Sequence, residues 1–195
     1  MTTSVSKLMI EAGQKARAAS RRMAAASTAD KNKALLRLAE LLEAKKEDIF
    51  AANEQDLVKA KENGLKESFV DRLRVTEKVL GLMAEGARQT AALPDPVGEI
   101  SEMRRRPSGI QVGRMRVPLG VLGIIYESRP NVTVDAACLA VKSGNACILR
   151  GGSEAFETNR ILGELVQQAL TETGLPTEAV QIAPTTAVSY THLRA

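Results

Sequence analysis

The sequence predicts an α/β chain: a set of N-terminal helices, then a β-hairpin ribbon, then an open parallel sheet with helical crossovers. Three observations predict it. Apolar positions keep helical spacing through the first ninety residues. The stretch 97–118 switches to a partly alternating pattern around Pro107-Ser108-Gly109. From residue 119 onward, short apolar runs alternate with amphipathic segments, the pattern of strand–helix–strand units.

The N-terminal stretch "MTTSVSKLMIEAGQKARAASRRM" has no apolar core of signal-peptide length. Its arginines and serines are compatible with a transit peptide, but Glu11 and the Ala-rich pattern favour an ordinary first helix. In "STADKNKALLRLAELLEAKKEDIF", Leu35, Leu38, Leu42 and Ile49 share one side, and Ala39 and Leu41 widen it. Ser27, Thr28 and Asp30 are cap candidates for its start. The next segment, "NEQDLVKAKENG", is expected to begin at an Asn53 cap and end at Gly64. A further helix runs from Thr76 to about Leu93 and stops at "PDP". These helices form a layer with a solvated face and carry no evident chemistry.

Pro107-Ser108-Gly109 reads as the turn of a hairpin, with Arg104, Arg105, Arg106, Arg114 and Arg116 on its arms. Five arginines can grip phosphates, but no aromatic residue lies among them to stack a base. With a net charge of only +4, a solvated or subunit-contacting ribbon is the better reading, and no nucleic-acid partner is expected.

"VLGIIYE" is a continuous apolar run, as expected for a parallel strand covered on both faces. "NVTVDAACLAVKSGN" is a helix ending near Gly144, "ACILRG" the second buried strand, "SEAFETNRILGELVQQALTETG" a long amphipathic helix, and "AVQIAP" a third strand. The long helix has Ile161, Leu165 and Leu170 among its core candidates and Gly174 as its stop. Ligands of open α/β sheets bind beyond the carboxyl ends of the strands. Tyr126 to Asn131 stand at one such end and Arg150 to Glu154 at the next.

In "LRGGSEAF", two glycines let the backbone approach a ligand, Ser153 can cap the next helix, that helix start favours an anion, and Arg150 can hold a phosphate. The competing reading is a plain strand-to-helix turn, because the segment is not the GxGxxG fingerprint. In "YESRPNVTV", Arg129 can hold a carboxylate or phosphate and Asn131 can donate to an oxyanion, or Pro130 opens the helix and the rest is capping.

The totals narrow the class. At 195 residues, 44% hydrophobic and 26% charged, the chain suits one globular domain, or a domain with a helical attachment. No run approaches the 18 apolar residues of a membrane span. Cys138 and Cys147 sit in apolar surroundings and read as small buried hydrophobes. The lack of a disulfide framework fits a cytoplasmic protein. No cluster has metal-ligand spacing.

The segment "RVPLGVLGIIYESRPNVTVDAACLAVKSGNACILRGGSEAFETN" resembles the γ-glutamyl phosphate reductase (glutamate-5-semialdehyde dehydrogenase) branch of the aldehyde dehydrogenase superfamily, as do "ANEQDLVKAKENGLKESFVDRL" and "LPDPVGEI" upstream. The resemblance spans roughly residues 5 to 186. It implies an aldehyde dehydrogenase-like fold: an N-terminal helical region (1–96), a β-ribbon for oligomer contacts (97–118), and the first part of a Rossmann-like NADP-binding domain (119–186). It implies NADPH-dependent reduction of L-glutamyl 5-phosphate to L-glutamate 5-semialdehyde with release of phosphate, in proline biosynthesis. The partners implied are that small-molecule substrate and further copies of the enzyme. By resemblance, Arg150 lies near the adenosine ribose, where an arginine favours the 2′-phosphate of NADPH, and Gly151, Gly152, Ser153 and Glu154 line that pocket. Glu127, Arg129 and Asn131 would lie near nicotinamide and substrate, with the oxyanion role of Asn131 left open.

The chemistry of the family needs a cysteine thiolate to attack the acyl phosphate. Neither Cys138 nor Cys147 matches its position, so no catalytic residue is assigned here. Residues 187–195, "AVSYTHLRA", resemble translated sequencing-adapter sequence and read as non-native. His192, the only histidine, falls there and is given no role. The chain is therefore expected to be the first part of a longer enzyme, inactive alone and prone to aggregate through open strand edges. The alternative is a non-catalytic interaction module that pairs with a full-length homologue or binds a polyanion through its arginine-rich hairpin.

Overall fold

The computed structural model describes residues 2–183; the adapter-like segment and His192 lie outside them. Helix α1 spans Thr2–Ala24, as the Ala-rich pattern predicts. The stretch predicted as one helix through Ile49 breaks at Lys45 into α2 (Thr28–Ala44) and α3 (Lys46–Glu62). Ser27 caps α2 by accepting from the Asp30 N–H, as the sequence suggests. Asn53 does not start a helix: it sits within α3, where its buried amide serves a neighbouring loop instead. Its Nδ2 donates to the Leu73 carbonyl at 2.8 Å, and its Oδ1 accepts from Val75 N at 2.8 Å. Gly64, with φ +69°, turns the chain out of α3. Helices α4 (Glu67–Leu73) and α5 (Glu77–Ala92) follow, and Thr76 caps α5 through Val79 N.

The ribbon is an antiparallel pair, β1 (Ile100–Arg105) and β2 (Gln111–Met115), joined through Pro107-Ser108-Gly109 with Gly109 at φ +87°. Every residue of both strands is exposed. Arg114 pairs with Glu102 at 3.3 Å and Arg116 with Glu99 at 3.3 Å, so part of the arginine charge is spent inside the ribbon.

The α/β unit holds β3 (Val121–Ile125), α6 (Pro130–Lys142), β4 (Ala146–Arg150), α7 (Phe156–Glu172) and β5 (Val180–Ile182). The sheet is parallel in the order β3-β4-β5. Central β4 is buried along its length, as its sequence predicts. The prediction that β3 is covered on both faces is corrected. Leu122 and Ile124 pack on the core, while Val121, Gly123 and Ile125 face outward. β3 is an edge strand among the described residues, so its apolar run is covered on one side only. Helix α1 packs on the sheet, α6 and α7 pack on it and on each other, and α2 and α5 lie against α6. No helix among the described residues is long and apolar enough to cross a membrane.

A buried polar link ties the helical layer to the α/β unit. The Asp56 carboxylate of α3 accepts from the backbone N–H of Glu157 at 3.2 Å and of Thr158 at 2.8 Å, and from the Thr158 hydroxyl at 2.7 Å. Burial pushes the Asp56 carboxyl up, and these donors oppose the shift. Asp56 thus caps α7 from another helix. The expected Ser153 cap does not form, because a 3₁₀ turn, Ser153–Ala155, precedes α7. The anion expected at that helix start is the protein's own carboxylate.

A second buried pair lies within the helical region itself: Lys31 of α2, only 1% exposed, with Asp95 just after α5 at 2.6 Å. Asp95 also accepts from Thr28 Oγ1 at 2.6 Å and from Val97 N at 3.0 Å. Burial alone would raise the Asp95 carboxyl, but Lys31 and Thr28 outweigh it and hold it below the usual range. A depressed carboxyl contributes stability above its unfolded pKa of about 3.9 and loses it as pH falls through the folded value. Asp95→Asn is expected to cost about 3 kcal/mol at neutral pH, because it leaves the Lys31 charge buried and unpaired. Urea unfolding at pH 7 and pH 3 checks this: the substituted protein loses less stability between the two than the parent does.

Candidate functional site

Strands β3 and β4 run parallel and end together, so their following loops emerge side by side. Tyr126 N donates to the Arg150 carbonyl at 3.1 Å, which continues the ladder one step past β3. Beyond it opens a cleft of about 620 Å³. One wall carries Tyr126, Glu127, Ser128, Arg150, Gly152 and Glu154. The other is the α3–α4 segment, with Gly64, Leu65, Lys66, Phe69, Arg72 and Leu73.

The floor is set by a buried chain of side-chain hydrogen bonds. Thr133 Oγ1 donates to Asn159 Oδ1 at 2.7 Å. Its single proton is thereby used, so the Tyr126 hydroxyl donates to Thr133 across 2.6 Å. Burial pushes the Tyr126 phenol up, which keeps it a neutral donor. A Cβ on Gly151 would collide with the Asn159 amide and crowd the Tyr126 ring. Gly151 is therefore needed for close packing of the β4 loop onto Tyr126 and Asn159, and Gly152 for its packing against Ser128 and Glu154, with no positive φ involved; the room that the two glycines leave is taken by the protein's own side chains, not by an approach to a ligand.

Glu154 accepts from the Ser128 hydroxyl at 2.5 Å. That bond, followed by smaller contributions that include the nearby Arg150 charge, holds its carboxyl below the usual range. Glu127 lies 3.8 Å from Arg72 and 4.0 Å from Arg129. The Arg72 guanidinium also lies over the Phe69 ring, 5.4 Å from its centroid.

The structure brings together Glu127, Arg150, Gly152 and Glu154 among the residues singled out in the sequence. Gly151 lines an adjoining hollow with Asn159, Phe156 and Ile182. Ser153 faces a different depression, beside Asp56 and Lys59. Arg129 and Asn131 stand outside the cleft lining; Asn131 Nδ2 donates to Asp135 at 3.3 Å, one helical turn on. Sequence reasoning did not find Lys66, Phe69 and Arg72, which come from about 80 residues upstream and carry no local motif. Nor did it find Thr133 or Asn159, whose roles arise only when α6 and α7 meet, or the bond that Ser128, within the Tyr126–Asn131 stretch, makes to Glu154.

Cys138 and Cys147 are free and buried, and desolvation pushes both thiols up to about 12. Neither supplies a thiolate at neutral pH. Among the described residues, no cluster of three His, Cys, Asp or Glu side chains can hold a metal. A dinucleotide suits the polar groups present: an arginine that can donate to phosphate and a carboxylate that can accept from ribose hydroxyls.

Residues 2–192 match the model of the aldehyde dehydrogenase family. The chain resembles the crystal structure of γ-glutamyl phosphate reductase from Thermotoga maritima, at 40% identity and a TM-score of 0.88, over 94% of this chain and 44% of that one. The reductase from Saccharomyces cerevisiae is 33% identical with a TM-score of 0.84, over 92% of this chain and 46% of that one. An NAD-dependent benzaldehyde dehydrogenase from Corynebacterium glutamicum is 25% identical with a TM-score of 0.67, over 89% of this chain and 35% of that one. The chain therefore spans less than half the length of the reductases it resembles.

Thr133→Val would leave both the Tyr126 hydroxyl and Asn159 Oδ1 without their partner. It is expected to cost about 2 kcal/mol, and Tyr126→Phe, which removes only the donor, about 1 kcal/mol. Chemical denaturation of the two variants side by side gives the order.

Proposed function

The chain belongs to the aldehyde dehydrogenase family, whose members use a nicotinamide cofactor, and we propose that it is the N-terminal portion of an NADPH-dependent γ-glutamyl phosphate reductase. The overall change is reduction of L-glutamyl 5-phosphate to L-glutamate 5-semialdehyde. Two electrons and a proton reach the acyl carbon, and inorganic phosphate leaves. The observation that carries the reading is the convergence of Tyr126, Glu127 and Ser128 of "YESRPNVTVD" with Arg150 and Gly152 of "ILRGG" on one cleft, in a chain 40% identical to such a reductase over 94% of its length.

In this reading residues 119–186 belong to the cofactor domain, and the cofactor supplies the hydride when bound. Arg150 meets the 2′-phosphate, and Gly151, Gly152 and Glu154 line the pocket beside it. Ser153, exposed beside them, completes the segment. Glu127, Arg129 and Asn131, on the loop and first turn after β3, serve the substrate end. The thiolate that the chemistry needs comes from outside this chain, since both cysteines here are buried. The ribbon serves contacts between copies: Ile100, Met103 and Met115 leave more than half of their surface exposed. A soluble cytoplasmic enzyme of amino-acid biosynthesis fits the whole.

The test is a reductase assay on γ-glutamyl phosphate that follows NADPH absorbance. The protein expressed from its uninterrupted gene should turn over, and the 195-residue chain should not. Turnover by the 195-residue chain, or none by the longer product, would overturn the reading. Arg150→Ala should weaken NADPH binding about tenfold, as expected for loss of one charge-assisted contact, and leave NADH binding nearly unchanged. Titration calorimetry with both nucleotides measures this.

A further inference from the structure

The cleft is lined by two carboxylates, Glu127 and Glu154, and three cations, Lys66, Arg72 and Arg150. Glu127 has arginine neighbours on both sides. Glu154 is held differently: its closest partner is a neutral hydroxyl, Ser128 Oγ, at 2.5 Å. Ser128 follows β3 and Glu154 follows β4, so the bond joins the two loops that build one wall. Gly152 makes room for it. A Cβ there would collide with Ser128 Oγ and stand 2.7 Å from Glu154 Oε2.

A carboxylate beside a nucleotide ribose accepts from a free 2′-hydroxyl and repels a 2′-phosphate; an arginine does the reverse. Glu154 and Arg150 line the same cleft and pull in these opposite directions. We infer that Ser128 is a specificity-determining residue of this cleft: by occupying Glu154 and tying it to the wall beside Gly152, it withholds the carboxylate from an unphosphorylated ribose. The balance then tips toward Arg150 and the 2′-phosphorylated nucleotide. The inference rests on the cofactor reading above, and extends it to a residue that touches neither phosphate nor base in that reading.

The low titration of Glu154, led by the Ser128 bond, is consistent with an ionised carboxylate that needs such restraint. Loss of the hydroxyl would remove the leading bond and leave the group only the weaker ones from its own backbone N–H and the Ser153 side chain, loosening it toward the cleft. A threonine would keep the bond.

The experiment compares NADPH and NADH affinity, by calorimetry, in the protein expressed from its uninterrupted gene and in its Ser128→Ala and Ser128→Thr variants. The NADPH-to-NADH affinity ratio should fall about tenfold in Ser128→Ala, with NADH bound more tightly than by the parent. It should return close to the parent value in Ser128→Thr. A separate readout needs no nucleotide: the Glu154 carboxyl, followed by NMR titration, should move up in Ser128→Ala and stay low in Ser128→Thr. An unchanged ratio in Ser128→Ala, with the parent still binding NADPH, overturns the Ser128 assignment and spares the cofactor reading. A parent that binds neither nucleotide overturns both.

Discussion

The Asp56 carboxylate accepts three hydrogen bonds from the start of α7, although it belongs to α3. An α-helix begins with N–H groups that have no partner within the helix, and burying them unmet is costly. Most helices meet that need with a cap residue next in sequence. Here the helical layer meets it from about 100 residues away. The same α3 surface presents Asn53, which reaches Thr158 and also holds the chain at Leu73 and Val75. The segment that forms the far wall of the cleft is therefore anchored to the same helix start that follows the near wall. The two walls keep their spacing because both depend on Asp56, Asn53 and Thr158.

A second chain of polar groups runs beneath the cleft from Tyr126 through Thr133 to Asn159. Asn159 is the residue after Thr158, so the two networks meet on one turn of α7. Buried polar networks of this kind fix geometry because each member has one good arrangement and a costly alternative. The site is thus built on rigid elements, with its variable chemistry in two short loops. In these loops each carboxylate already has a partner: Ser128 for Glu154, and Arg72 and Arg129 for Glu127.

The exposed surfaces carry their own message. Both faces of the ribbon and the outer side of β3 present apolar side chains to solvent, Ile100, Met115, Val121 and Ile125 among them. Among the described residues β3 leaves one edge and one face of the sheet open beside a buried β4. The chain spans less than half of the reductases it resembles.

Local sequence by itself determined the helices, the ribbon and the parallel strands, because spacing, caps and turn residues act over a few positions. Ser27, Thr76, Pro130 and the turn at Pro107-Ser108-Gly109 do in the structure what their local chemistry suggests. It also pointed to the ends of β3 and β4, where the cleft opens, since a parallel strand must surface where its run of apolar residues stops. Tertiary structure alone decided the rest. It put Asn53 inside a helix, gave the cap of α7 to Asp56 in place of Ser153, and left β3 covered on one side. It brought Lys66, Phe69 and Arg72 across from α3–α4 and paired Ser128 with Glu154. The reason is the same in each case: a hydrogen bond or a burial needs both partners in place, and partners 26 or about 100 residues apart meet only when the core has closed.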